Sequence, residues 1–158
     1  PWGTAQEAVL DSLGAPVQAD TLEEGIVVLA FEGTIDDTAS IAMFAFFPGQ
    51  GLVKGQHSIP FDASVDCVAL FRDMRHFLLL KYPMIGPVDR SRNDSSKGFC
   101  DAVPEGDAEW ITSWEDSQTG ARALVSIEAR RPRLNVVFES ADFIAWVEDS
   151  ERPPEPER

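Results

Sequence analysis

One pattern is written twice in this chain: a short helix, then strand-like runs separated by turns. The first helix is read over Thr4 to Leu13. Thr4-Ala5-Gln6-Glu7 has the form of a capping box, and Gly14 and Pro16 stop the helix. A helix of under three turns does not stand alone in water, so it has to lie against a sheet. The second helix is read over about Val65 to Lys81, with Asp62 as its N-cap. Cys67, Leu70, Phe71, Met74, Phe77 and Leu78 recur there at helical spacing as one apolar stripe.

Three strands are expected after each helix. In the first half these are Ile26 to Phe31, Ala39 to Phe47 and Leu52 to Ile59, with Pro48-Gly49-Gln50-Gly51 as a tight reversal. Ala39 to Phe47 is apolar on both faces, with Phe44 and Phe46 on one, as a central or partner-covered strand would be. In the second half the strands are Glu109 to Glu115, Ala121 to Ala129 and Leu134 to Glu139. Ser140 then caps a last short helix that carries Phe143, Ile144, Trp146 and Val147. Asp89 to Asp107 is polar without periodicity and reads as a long loop. The expected fold class is α+β: two helix-plus-three-stranded antiparallel meander units, with the helices packed on antiparallel sheet. Residues 1–148 are read as a single domain with pseudo-repeats at about 1–60 and 61–148. Residues 149–158, charged and proline-rich, are read as a disordered tail.

The formal net charge is −14, which sets the surface against nucleic-acid phosphates and anionic lipid. Up to Pro60 the only lysine or arginine is Lys54, facing carboxylates from Glu7 to Asp37. Such a surface either serves solubility or offers an acidic face to a basic protein. No run is long and apolar enough to span a bilayer. The chain begins at Pro1 without Met, as removal of a signal peptide or a fragment boundary would each leave it. Cys67 and Cys100 permit one disulfide, and a pair of unlinked buried thiols is the alternative.

Trp2-Gly3-Thr4, Val9 and Leu13-Gly14-Ala15-Pro16 together resemble the opening of small secreted bacterial domains of the SmpA/OmlA outer-membrane lipoprotein and β-lactamase-inhibitor-protein-like kind. The stretch around Phe46 to Gly55, with Gly51-Leu52-Val53, is similar to their strand–turn–strand segment, and Leu80-Lys81-Tyr82 with Gly86-Pro87 weakly echoes the end of the first helix, as a second copy would. That resemblance covers mainly the first sixty residues. It implies a periplasmic or extracellular protein that binds other proteins and performs no chemistry. The element order and acidity also resemble type III secretion chaperones, which would imply a cytoplasmic dimer.

Reactive constellations are sparse. His57 and His76 are the only histidines, and neither stands at motif spacing to a cysteine, serine or carboxylate. An enzyme would need the segment from Asp89 to Asp107 to close over one of them. No zinc or di-iron spacing is present, so neither metal nor cofactor is expected. Asp36-Asp37 and Glu115-Asp116 invite a calcium reading, but turn chemistry accounts for the aspartates. Trp110 and Trp114 share one strand face, as core residues or as an exposed aromatic platform. The expected function is therefore non-catalytic protein binding by an exported bacterial domain. The contact residues would be Trp110, Trp114, Phe44, Phe46, Asp36 and Asp37, and the partner another protein, basic in character, with room for a homodimer. The alternative is a cytoplasmic chaperone-like or immunity-type protein that neutralises a basic partner.

Overall fold

The computed structural model describes residues 1–35, 37–62, 64–81 and 85–151. The elements run α1 (Gln6–Leu13), β1 (Gln18–Thr21), a 3-10 turn (Glu23–Gly25), β2 (Val27–Ile35), β3 (Thr38–Phe47), β4 (Gly51–Pro60), α2 (Cys67–Lys81), β5 (Ile85–Asn93), α3 (Phe99–Ala102), β6 (Ala108–Glu115), β7 (Arg122–Ile127), β8 (Arg133–Glu139) and α4 (Ala141–Ser150). All eight strands form one sheet in the order β1-β2-β3-β4-β8-β7-β6-β5, and every pairing is antiparallel.

This overturns the expected fold class. The described residues are mostly sheet, not helices packed on three-stranded meanders. Each half contributes four strands, and the last strand of one half pairs with the last strand of the other, Lys54 opposite Glu139 and Pro60 opposite Arg133. The missed strands are the two outer ones. β1 is exposed at every residue and has no alternation, so it forms because β2 offers free backbone groups. β5 occupies the start of the segment read as a loop, and the short helix α3 lies within the same segment. An outer strand with one open edge tolerates Pro87 and charged residues.

Two helix starts also differ from expectation. The residue preceding α1 in the cap position is Ala5, and the Thr4 hydroxyl donates to Pro1 O at 2.7 Å instead of capping. At α2 the cap is Asp66, whose Oδ1 accepts from Val68 N and Ala69 N at 3.1 and 3.0 Å, while Asp62 closes a turn onto Ser64. α4 begins as read, with Ser140 Oγ accepting from Phe143 N at 3.2 Å. It reaches Ser150, so Asp149 and Ser150 are helical and not tail. The rest of the expected tail, 152–158, lies outside the described residues, as does Asp36.

Register divides the side chains between two faces. One face carries Leu29, Phe31, Phe44 and Phe46 in the first half, and Val125, Val136, Trp110 and Trp114 in the second. α1 covers the former through Val9 and α2 covers the latter through Phe71, Met74 and Leu78. Phe71 and Leu78 are among the largest fully buried side chains, and each such burial contributes about 1.5–3 kcal/mol. The opposite face carries Val28, Met43, Lys54, Val137, Leu124, Ile111 and Arg90.

Candidate functional site

A bulge decides which part of that opposite face is covered. Between Ala45 and Phe46 the β3–β4 register shifts, passing over Val53. The freed Val53 carbonyl accepts from Ser140 N at 2.9 Å and so fixes the start of α4 over β4. Phe143 then packs on Ala45 and Val53 in the first half of the sheet. Among the described residues, no helix packs on this face over β5, β6 and β7.

The uncovered half forms a concavity of about 350 Å³ lined by Val88, Arg90, Ile111, Ser113, Leu124 and Arg122, with Glu115 at its end. Val88, Ile111 and Leu124 are its apolar part, interspersed with polar groups, and Val88 is 55% exposed. Arg90 and Glu115 have no ion-pair partner among the described residues. Arg122 is fixed by Glu139, whose carboxylate also receives Lys54 Nζ at 3.2 Å. Toward the middle of the sheet, Gln56 Nε2 donates to Asn135 Oδ1 at 3.2 Å and Asn135 Nδ2 donates to Glu128 Oε1 at 3.3 Å. Mixed apolar and charged groups held on paired strands are the composition of a contact surface.

The residues singled out in the sequence lie elsewhere. Trp110 stacks on Phe71 with ring centroids 4.2 Å apart, and Trp114 is 2% exposed, so both are core beneath α2 rather than an exposed platform. Phe46 is buried under α1. Phe44 is half-buried edge-on to Phe31. Asp37 sits in the β2–β3 turn with φ of 60°. The open face was missed because β5 was read as a loop, although Val88, Arg90 and Arg92 do alternate with Asp89, Ser91 and Asn93.

Cys67 and Cys100 are joined, tying the first turn of α2 to α3. The segment read as a loop, which an enzyme would need as a lid, is thus pinned to the core, where Ala102 and Val103 are fully buried. His57 and Ser40 do meet, with Nδ1 and Oγ 2.9 Å apart. The Ser40 side chain is 6% exposed, and no carboxylate among the described residues bonds the ring. Burial lowers the His57 pKa, which keeps the ring neutral at pH 7. Asp116 is held below the usual carboxylate range by the Thr119 hydroxyl at 2.7 Å and then by Gln118 N at 2.9 Å, which is turn chemistry. Among the described residues, no group of three His, Cys, Asp or Glu side chains is placed to hold a metal ion. Nor is any helix among them long and apolar enough to cross a membrane.

Comparison of the chain with known protein families, with curated proteins and with solved structures gave no match.

Proposed function

We propose that this chain is a non-catalytic protein-binding domain of an exported bacterial protein, engaging a basic partner through the open half of its sheet. The observation that carries the reading is the uncovered concavity on β5, β6 and β7, where Val88, Ile111 and Leu124 stand among the charges of Arg90 and Glu115, which have no ion-pair partner among the described residues. An acidic chain of net charge −14 would draw a basic partner in at long range, and Val88, Ile111 and Leu124 would supply short-range affinity on this face. The disulfide weighs for an oxidising compartment and against the cytoplasmic chaperone-like setting.

The test is a parallel pulldown from the native host with wild-type, Leu124→Asp and Val88→Asp baits, at low and high salt. A basic protein retained by wild type, weakened by salt and lost with both variants is the expected result. A partner held equally by all three baits would refute the role of this face. Alkylation mass spectrometry on protein taken directly from cells checks the compartment, with fully reduced Cys67 and Cys100 as the contrary outcome.

A further inference from the structure

Where the Pro48–Gly51 reversal, the 3-10 turn and α4 meet, Glu24, Ile26, Phe47, Pro48, Gln50 and Trp146 line a cavity of about 240 Å³. It shares no residue with the concavity on β5, β6 and β7. Phe47 and Trp146 form two adjoining walls, with ring centroids 5.6 Å apart and planes at 67°. Glu24 stands beside them. Its Oε2 accepts from Trp146 Nε1 at 2.9 Å, and its Oε1 has no hydrogen-bond partner among the described residues.

The charge at this cavity has a definite sign. Glu24 is the one charged side chain among the described residues that line it. None of the ion pairs among the described residues uses a carboxylate from residues 1–60, so Glu24 is unpaired. Lys54 is the only lysine or arginine before Arg72; it does not line the cavity, and Glu139 matches its charge at 3.2 Å. A neighbouring cavity that shares Phe47, Pro48 and Gln50 adds a second unpaired carboxylate, Glu7. The aromatic cluster already holds one cation on another side. Lys54 Nζ lies 4.7 Å from the centroid of Phe143, whose ring packs against both Phe47 and Trp146.

Ring faces next to an unpaired carboxylate attract a cation. The kind of cation follows from how little else is polar. A primary ammonium brings three N–H donors and a tightly held water shell, and here it would find one free carboxylate oxygen and the Gln50 amide. A fully methylated ammonium has no N–H to satisfy, and its methyl groups pack on rings. We infer that this cavity binds the trimethylammonium group of a small free cation, with the methyl groups against Phe47 and Trp146 and the charge beside Glu24 Oε1. Such a group, four carbons and a nitrogen at roughly 30 Å³ each, takes on the order of 150 Å³ and fits the space. The site is independent of the protein-binding role proposed for the other half of the sheet.

Choline is the probe, followed at constant ionic strength by ¹H–¹⁵N NMR at the Trp146 indole N–H, assigned by its loss in Trp146→Phe. A saturable titration is expected, with a dissociation constant on the order of 1 mM, as suits a ligand of so few atoms. The uncharged isostere 3,3-dimethyl-1-butanol should bind about threefold more weakly or worse. Glu24→Gln keeps an oxygen for the indole N–H. It should weaken choline by about threefold and leave the isostere unchanged, which also shows that the variant is folded. Phe47→Leu should weaken choline more than the isostere. The inference is overturned by a titration that never saturates, by equal binding of choline and its isostere, or by undiminished choline binding to Glu24→Gln. It is equally overturned if n-butylammonium binds more tightly than choline, the sign of a lysine-like side chain, or if phosphocholine does, the sign of a lipid headgroup.

Discussion

Across the β7–β8 pair, Arg122 donates both Nε and Nη2 to Glu139 Oε2, at 2.9 and 2.6 Å. Glu139 is 5% exposed, so its charge depends on that contact. The Arg122 side chain is 33% exposed, and water screens part of the interaction. Arg122→Ala should lower the unfolding free energy by about 1–2 kcal/mol, with Lys54 retaining part of the compensation. Adding Glu139→Gln should recover some of that loss, because the buried charge is then gone. Urea midpoints of the two single variants and the double variant test this, and additive losses would contradict it.

The bond between Cys67 and Cys100 closes a loop across 33 residues. In the loop-entropy account it contributes about 3–4 kcal/mol through the unfolded chain. Reduction should therefore lower Tm by on the order of 10 °C. Thermal melts with and without a strong reductant measure this, and superimposable melts would show that α3 is held by packing alone.

Trp114 is buried, yet its Nε1 has no hydrogen-bond partner among the described residues. The residue is thus valued for its ring and not for its N–H. Trp114→Phe should stay within about 1.5 kcal/mol of wild type, whereas Trp114→Ala should lose about 3–5 kcal/mol. Similar losses in both variants, by chemical denaturation, would mean that the indole nitrogen matters after all.

Two glycines of the β3–β4 reversal make a controlled pair. Gly49 and Gly51 both have positive φ, at 72° and 79°. A Cβ on Gly49 would meet nothing within 4 Å, while one on Gly51 would come within 2.6 Å of Gly3 O and 2.7 Å of Thr4 O. Gly49→Ala should cost about 1 kcal/mol of backbone strain. Gly51→Ala should cost clearly more, because it also pushes off the Gly3–Thr4 segment, which pairs with Leu52 through bonds of 3.0 and 2.9 Å. Equal stabilities would contradict this account of how α1 is seated.

Burial depresses the His57 pKa below its ordinary 6.5 in the folded chain. As pH falls, the unfolded chain takes up the proton first. The stability tied to neutral His57 is therefore complete above pH 6.5 and declines below it, until the folded pKa is also passed. His57→Gln should flatten the dependence of stability on pH between about 7 and 5. An unchanged slope would assign the dependence to other groups.

What could be read from the chain alone follows from how local each signal is. The Ser140 cap with Phe143 behind it, the Pro48–Gly51 reversal and the apolar stripe from Cys67 to Leu78 are each set within one short stretch of backbone, and each formed an element where expected. β1 was illegible because an outer strand needs no alternation: Gln18 to Thr21 is exposed throughout and is recruited by Ala30 to Val27, while β5 alternates only one valine and two arginines against polar residues and so carries little apolar signal. The open face was hidden for a related reason. Trp110 and Ile111 sit on opposite faces of β6, and only the landing places of α2 and α4 decide which of them meets solvent.

The β4–β8 seam has a consequence for the order of assembly. Gln56 and Asn135 meet across it from 79 positions apart. Without the second half, the first four strands have one flank bare, and its proper neighbour is β8, the eighth strand in chain order. Closure must wait for β8, so folding is expected to be slow and dominated by distant pairings. Until then Val53 to Ile59 is a flank to which any stray strand can add.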